Sequence, residues 1–157
     1  MGKIFLAGLL LFLSGCGLHF GDLSPKNADT HLQSKLKHFV QKWKHTPYVL
    51  GGASRRGSDC SAFTQAILAE FGAKIPRTTR AQLNGGEKIL KKDLKAGDLV
   101  FFRTGRGPNG LHVGIYLGNG AFAHLSTRGG SKEARLDNPY WKPKFIGSRR
   151  YKLQGTR

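Results

Sequence analysis

The stretch LHVGIYLGNGAFAHL, residues 111–125, decides the fold class of this 157-residue chain. Two apolar runs, Leu111 to Leu117 and Ala121 to Leu125, flank the sequence Gly118-Asn119-Gly120. Glycine and asparagine between two apolar runs are typical of the tight turn of a β-hairpin. This part of the chain therefore predicts two antiparallel strands.

Further strands are predicted on either side of this hairpin, whereas helices are predicted before it. Residues 99–102, Leu-Val-Phe-Phe, predict a buried strand, and weaker strand patterns occupy residues 134–136 and 145–151. Helical spacing of apolar residues predicts a first helix over about 31–44, with a capping box formed by Thr30 and Gln33. A second helix should begin near Ser58 and stop at Gly72, and one more helical turn is expected at Thr79 to Leu83. Helices followed by strands favour an α+β fold, with N-terminal helices packed on an antiparallel sheet.

The N-terminus has the pattern of an export signal. Met1-Gly2-Lys3 is a short positive segment, and Ile4 to Leu13 is apolar but too short to span a membrane as a helix. Leu13-Ser14-Gly15-Cys16 resembles the bacterial lipobox, in which the cysteine is lipidated and the peptide is cut before it. The alternative is a buried N-terminal element with a chance cysteine.

This N-terminal pattern defines the expected organisation of the chain. It predicts a lipoprotein signal peptide over 1–15, a lipidated Cys16 with a tether over 16–29, and one domain over 30–157. We expect the protein to be a monomer in the bacterial cell envelope, held on the membrane by Cys16. Gly17 favours the outer membrane, facing the periplasm, if the source is Gram-negative, because an aspartate at this position is associated with inner-membrane retention.

The charge of the chain points to an anionic partner or surrounding. Lys and Arg number 26 against 9 Asp and Glu, giving a formal net charge of +17. The cations are dispersed, so a solvated surface and a role in attracting substrate are both open. Nucleic acid is not an expected partner, because the sequence carries no motif of a nucleic-acid-binding module.

Cys60 is a candidate nucleophile. It lies at the predicted start of the second helix, where the helix dipole and free N–H groups favour a thiolate and lower the thiol pKa. An unpaired cysteine in an exported protein also needs a reason. A buried structural cysteine and a disulfide between Cys16 and Cys60 are the alternatives.

Two histidines can supply the base that such a nucleophile needs. His112 and His124 lie in the two strands of the hairpin, and pairing about the turn makes them diagonal neighbours. With Cys60 they predict a Cys–His–polar triad, with His112 as the base and His124 as the group that orients it. A zinc site built from the same three residues is the rival interpretation. The histidines His31, His38 and His45 recur every seven residues, about 10 Å apart, and fit a solvated helix face rather than one metal site.

Several motifs together resemble the NlpC-type cell-wall peptidases. The resemblance runs from about residue 31 to 152 and is carried by residues 47–53, 58–63, 75–79 with Gln82, 95–102, 112–118, 122–124, 139–141 and 147–150. It implies a papain-like α+β fold and hydrolysis of peptide bonds in peptidoglycan stem peptides or crosslinks. The lipobox suits the lipoprotein branch of the family.

The resemblance also implies roles for individual residues. Cys60 would be the nucleophile, His112 the base and His124 the third polar residue, while Tyr48 would line the oxyanion region. Asp59 and Ser61 would help to bind the substrate, and no metal or cofactor is implied. The chain departs from the family at Thr64-Gln65 and in the basic loop 103–110, which affects substrate preference rather than chemistry.

Other functions remain open on the sequence alone. A lipoprotein that binds peptidoglycan without cutting it could share the fold, although such a protein has no need of the three candidate catalytic residues. An acyltransferase or amidase on the same fold is a further alternative. Partner proteins that act in cell-wall synthesis or regulation are not indicated by any motif.

Overall fold

The computed structural model describes residues 25–154, which form an α+β domain. The predicted signal peptide, Cys16 and the first part of the tether lie outside the described residues. The helices are α1 (Pro25–Gln41), α2 (Cys60–Ala69) and α3 (Thr79–Asn84). The strands are β1 (Ala53–Ser54), β2 (Gly57–Ser58), β3 (Glu87–Ile89), β4 (Leu99–Arg103), β5 (Leu111–Gly118), β6 (Ala121–Leu125), β7 (Ser131–Arg135) and β8 (Phe145–Arg150).

Strands β3 to β8 form one antiparallel sheet with the order β3-β8-β4-β5-β6-β7. The predicted α+β architecture is therefore confirmed. The short strands β1 and β2 form a separate hairpin just before α2. Within residues 25–154, no helix is long and apolar enough to cross a membrane.

The first four residues of β4 are apolar and buried because both faces of the sheet are covered there. Leu99 and Phe101 belong to the main core, which also contains residues of α1 and α2. Val100 and Phe102 belong to a second cluster on the opposite face. Alternate residues of a strand point to opposite faces, so a strand buried on both sides needs a continuous apolar run.

The first helix begins and ends earlier than the predicted range 31–44. It starts at Pro25, so residues 25–29 of the predicted tether are helical. The predicted capping box is wrong, because the Gln33 amide donates to the Asp29 carboxylate one turn earlier, at 3.0 Å, inside the helix. Regular helix ends at Gln41, and the backbone continues in tighter turns, with the Trp43 N–H donating to the Val40 carbonyl. Proline is well tolerated in the first turn of a helix, which explains the early start.

The strands at the edges of the sheet are the elements that the apolar pattern locates least well. The strand expected at 134–136 is β7, residues 131–135, whose largely polar sequence pairs with β6. Strand β3 and the β1–β2 hairpin were not predicted. These strands are only two or three residues long and mostly exposed or polar, so hydrophobic periodicity does not detect them.

Candidate active site

The N-terminus of α2 carries the candidate nucleophile. The helix begins at Cys60, and the Asp59 side chain caps it by accepting a hydrogen bond from the Ala62 N–H at 2.9 Å. Tyr48 lies beside this terminus because residues 47–49 pair with Ser58, forming a short parallel bridge. A capped helix start and one extended segment therefore bring Tyr48 and Cys60 together.

The Cys60 thiol is completely buried at the junction of α2 and the sheet. Its sulfur lies 3.5 Å from the Thr79 hydroxyl and accepts a hydrogen bond from the backbone N–H of Val113, the residue that follows His112. Burial raises the pKa of the Cys60 thiol, although the hydrogen bonds from Thr79 and Val113 oppose this effect. The expectation that the pKa of Cys60 is lowered is therefore wrong for the resting site. Burial of the thiol raises this pKa more than the N-terminus of α2 lowers it.

His112 and His124 form a hydrogen-bonded pair. Nε2 of His112 lies 3.0 Å from Nδ1 of His124. Ile115 pairs with Ala123 across β5 and β6, which is the register predicted from the turn. The structure therefore places the two rings on one face of the sheet, as the hairpin pairing allowed.

Trp141 covers the histidine pair. Its ring stacks on His112 at a centroid distance of 5.6 Å and meets His124 edge-on at 4.9 Å. Burial lowers the pKa of His112 to about 3 and that of His124 to about 4. Both imidazoles are therefore neutral at neutral pH, and the raised pKa of Cys60 keeps the thiol protonated as well.

The Tyr48 hydroxyl is buried beside the Cys60 thiol and, among the described residues, makes no hydrogen bond of good geometry. Burial and then the neighbouring Cys60 raise the pKa of Tyr48, so its hydroxyl stays protonated and can donate. A buried hydroxyl without a partner is costly, and such groups in native proteins call for an explanation. The predicted oxyanion role of Tyr48 stays a prediction that this position favours.

Asp59 is surrounded by donors from the protein itself. Its two carboxylate oxygens accept from the backbone N–H groups of Gly51 and Ala62, from the Ser61 hydroxyl and from both Nη atoms of Arg77, at 2.9–3.1 Å. Burial acts to raise the pKa of Asp59, but the Arg77 guanidinium and the backbone donors hold it below its usual range. Asp59 and Ser61 are both buried, so this geometry favours a positioning role over the predicted direct contact with substrate.

Several residues near Cys60 received no role from sequence reasoning. Arg77 joins Asp59 to the Gly52 carbonyl, and Thr79 contacts the nucleophile. The buried Gln82 amide donates to the carbonyls of Ser61 and Pro76. The only available signal was polar residues in a stretch that also resembles the family. Most of these contacts join residues 18–25 positions apart, and such contacts leave no local periodicity.

A cleft of about 290 Å³ opens over the histidine pair. Its walls include His112, His124, Tyr140, Trp141, Arg106 and Arg128. Within residues 25–154, no group of three or more His, Cys, Asp or Glu side chains is arranged to hold a metal ion, so the rival zinc site is not supported. The histidines His31, His38 and His45 are exposed, as the solvated-face interpretation predicted.

The buried histidines predict that the protein loses stability on mild acidification. Unfolding restores the usual pKa of 6.5, so below that pH the unfolded chain binds protons that His112 and His124 do not bind in the folded state. The free energy of unfolding should fall between pH 6.5 and 4, by about 1.4 kcal/mol per pH unit for each histidine. Urea denaturation at pH 5, 6 and 7 measures this slope. His112→Gln should give a shallower slope than the wild type, and equal slopes would contradict the assignment.

Comparisons with known proteins place these features in context. A family model described as the NlpC/P60 family matches residues 45–150. The chain is 43% identical over 145 residues to the probable endopeptidase NlpC of Escherichia coli, covering 89% of this chain and 93% of that protein. It is 40% identical over 126 residues to the murein DD-endopeptidase MepS/murein LD-carboxypeptidase of Escherichia coli, covering 80% of this chain and 65% of that protein.

The fold is also similar to that of a solved structure. The crystal structure of an NlpC/P60 family protein from Bacillus cereus superposes with a TM-score of 0.66 at 32% identity. The match covers 76% of this chain but only 40% of that chain, so this protein spans less than half of its length.

Proposed function

This chain belongs to the NlpC/P60 family, and from that premise we propose that it is a cysteine endopeptidase that hydrolyses peptide bonds in peptidoglycan. The observation that carries the proposal is the His112–His124 hydrogen bond beside the strand residue whose N–H contacts the Cys60 sulfur. A base oriented by a third polar group, in the strand that contacts the thiol, is an arrangement that nucleophilic catalysis can use. A protein that only bound peptidoglycan would have no use for it.

The Cys60 thiol and the His112 imidazole are both neutral at rest, so the thiol proton is transferred to His112 during the attack. Nε2 of His112 is engaged with His124, which leaves Nδ1 as the nitrogen that takes the proton from Cys60. The sulfur then attacks the carbonyl carbon of a stem-peptide bond. His124 holds the ring in one orientation and stabilises the imidazolium that forms.

The carbonyl oxygen becomes negatively charged in this step and needs donors. The backbone N–H of Cys60 lies in the first turn of α2, where helix N–H groups have no partner within the helix. The Tyr48 hydroxyl is the second donor that we propose, because it is buried, protonated and beside Cys60. Removing one such donor in a comparable site costs about 2.7–4 kcal/mol of transition-state stabilisation.

The acyl-enzyme is then resolved by water. The protonated His112 gives its proton to the leaving amine, which departs as the thioester forms. His112 next removes a proton from water, which attacks the thioester and restores the thiol. These steps use one backbone N–H, one water molecule and the side chains of Tyr48, Cys60, His112 and His124.

The bond that is cut and the cellular location are the finer parts of the proposal. We favour the crosslink between D-alanine and meso-diaminopimelate, because one relative is named a murein DD-endopeptidase. Lipidation of Cys16 would hold the monomer on the outer membrane, where it faces the peptidoglycan. The mass of the mature protein tests the anchor: a chain that begins at Met1 without acyl groups would overturn it.

Digestion of purified peptidoglycan tests the activity and identifies the bond. The full chain and its Cys60→Ala variant are incubated with insoluble peptidoglycan, and the soluble fragments are weighed by mass spectrometry. We expect new fragments from the wild type alone, with masses that assign the cleaved bond. Folded protein that binds peptidoglycan but releases no fragments would instead support the non-catalytic binder.

A further inference from the structure

Two arginines stand on the walls of the cleft over the histidine pair. Arg106 lies in the loop that follows β4, and Arg128 lies in the turn that follows β6. Both are exposed, and both line the same cleft as His112 and His124. Two separate loops therefore bring a guanidinium group to the proposed reaction centre.

The charges of these two arginines are not compensated within the domain. None of the residues that line the cleft is Asp or Glu. Among residues 25–154, neither guanidinium of this pair makes an ion pair or a side-chain hydrogen bond, whereas Arg77, Arg135 and Arg150 each bind an aspartate. The cleft therefore contains two guanidinium groups, beside the histidines, that are not paired with a carboxylate of the described residues.

We infer that Arg106 and Arg128 form a subsite that binds a free carboxylate of the stem peptide next to the bond that is cut. This inference rests on the proposed function and adds the chemical class that the cleft recognises. Stem peptides of peptidoglycan carry free carboxylates, and guanidinium groups bind carboxylates with two parallel hydrogen bonds.

The shape of the cleft supports this arrangement. Tyr140 and Trp141 form its aromatic wall, on which the aliphatic part of a peptide can pack. Burial of the substrate against this wall would displace water from the carboxylate and strengthen its pairing with the arginines. The subsite selects for substrates by charge, and one of its two arginines lies in the basic loop 103–110.

Binding of defined peptides tests the subsite without requiring turnover. The probe is a synthetic L-Ala-γ-D-Glu-meso-diaminopimelate-D-Ala tetrapeptide, compared with the same peptide in which every carboxylate is amidated. Binding to the full chain is measured by calorimetry in a Cys60→Ala background, which prevents cleavage. Arg106→Gln and Arg128→Gln are compared with Arg55→Gln, which removes one charge from the β1–β2 turn at a separate pocket.

We expect the parent protein to bind the free-carboxylate peptide about tenfold more tightly than the amidated one. Each of Arg106→Gln and Arg128→Gln should reduce this preference, the double variant should abolish it, and Arg55→Gln should keep it. A preference that survives in the double variant, or no binding of either peptide to the parent, would overturn the subsite. Failure of the proposed function is a different result, in which the wild type releases no fragments from peptidoglycan.

Discussion

Alanine in place of His112 is expected to lower kcat/KM for peptidoglycan fragments by a factor of about 10³ or more. The reason is the protonation state of the resting site. Burial raises the pKa of Cys60 and lowers the pKa of His112 to about 3, so the thiol keeps its proton until a neutral base removes it. Without His112, the thiol proton loses the acceptor that we propose for it.

The pH profile separates loss of this base from loss of structure. Hydroxide can replace the base, so the residual activity of His112→Ala should rise with pH until the raised pKa of Cys60 is reached. The double variant Cys60→Ala/His112→Ala should be no less active than Cys60→Ala alone, because the two groups act as one unit. His31→Ala, an exposed histidine on α1, is the matched control and should keep wild-type activity.

His124→Ala should give an intermediate loss, because the imidazole of His112 remains but loses its hydrogen-bonded neighbour. His124→Asn keeps a polar group at the same place and should recover part of that loss. Initial rates on soluble crosslinked fragments measure all these variants. If His112→Ala retained more than about a tenth of the wild-type kcat/KM, His112 would not be the base.

The central strands β4, β5 and β6 were predictable because the sequence patterns that indicate them are local. The turn at 118–120 fixes the register of β5 and β6, and this register alone places His112 and His124 side by side. The apolar run of β4 likewise reports a strand that is covered on both faces. Strand β7 was predicted only in part, at 134–136, because it is an edge strand whose pairing with β6, and not its own hydrophobicity, decides its extent.

The surroundings of the nucleophile were less predictable because distant segments build them. The contact of Arg77 with Asp59 joins residues 18 positions apart, and Trp141 reaches His112 from far along the chain. Such a contact leaves no repeat of 2 or 3.6 residues in the sequence by which it could be predicted. The pKa of Cys60 was misjudged for a related reason: the helix start is visible in the sequence, whereas complete burial of the thiol depends on the packing of the sheet against α2.

Removal of the Arg77 side chain is expected to destabilise the protein by about 2–4 kcal/mol. Arg77 binds both oxygens of the buried Asp59 at 2.9 Å and also donates to the Gly52 carbonyl. In Arg77→Ala, the carboxylate stays buried with its charge uncompensated, although the Gly51, Ser61 and Ala62 donors remain. The Arg77 side chain is one-third exposed, which keeps the expected loss below that of a fully buried pair. Urea denaturation at pH 7 measures the change.

The same change should lower activity, because Asp59 caps the helix that begins at Cys60 and also binds the Gly51 N–H. Arg77→Lys keeps the charge but not the two-pronged contact, so it should fall between the wild type and Arg77→Ala. Arg135→Ala breaks an ion pair with Asp137 that is exposed on both sides, and it should change stability far less. In the double variant Asp59→Ala/Arg77→Ala, the loss should be smaller than the sum of the single losses, because no unpaired buried charge is left. Additive losses would mean that Arg77 stabilises the protein through other contacts, and that the carboxylate beside Cys60 does not depend on it.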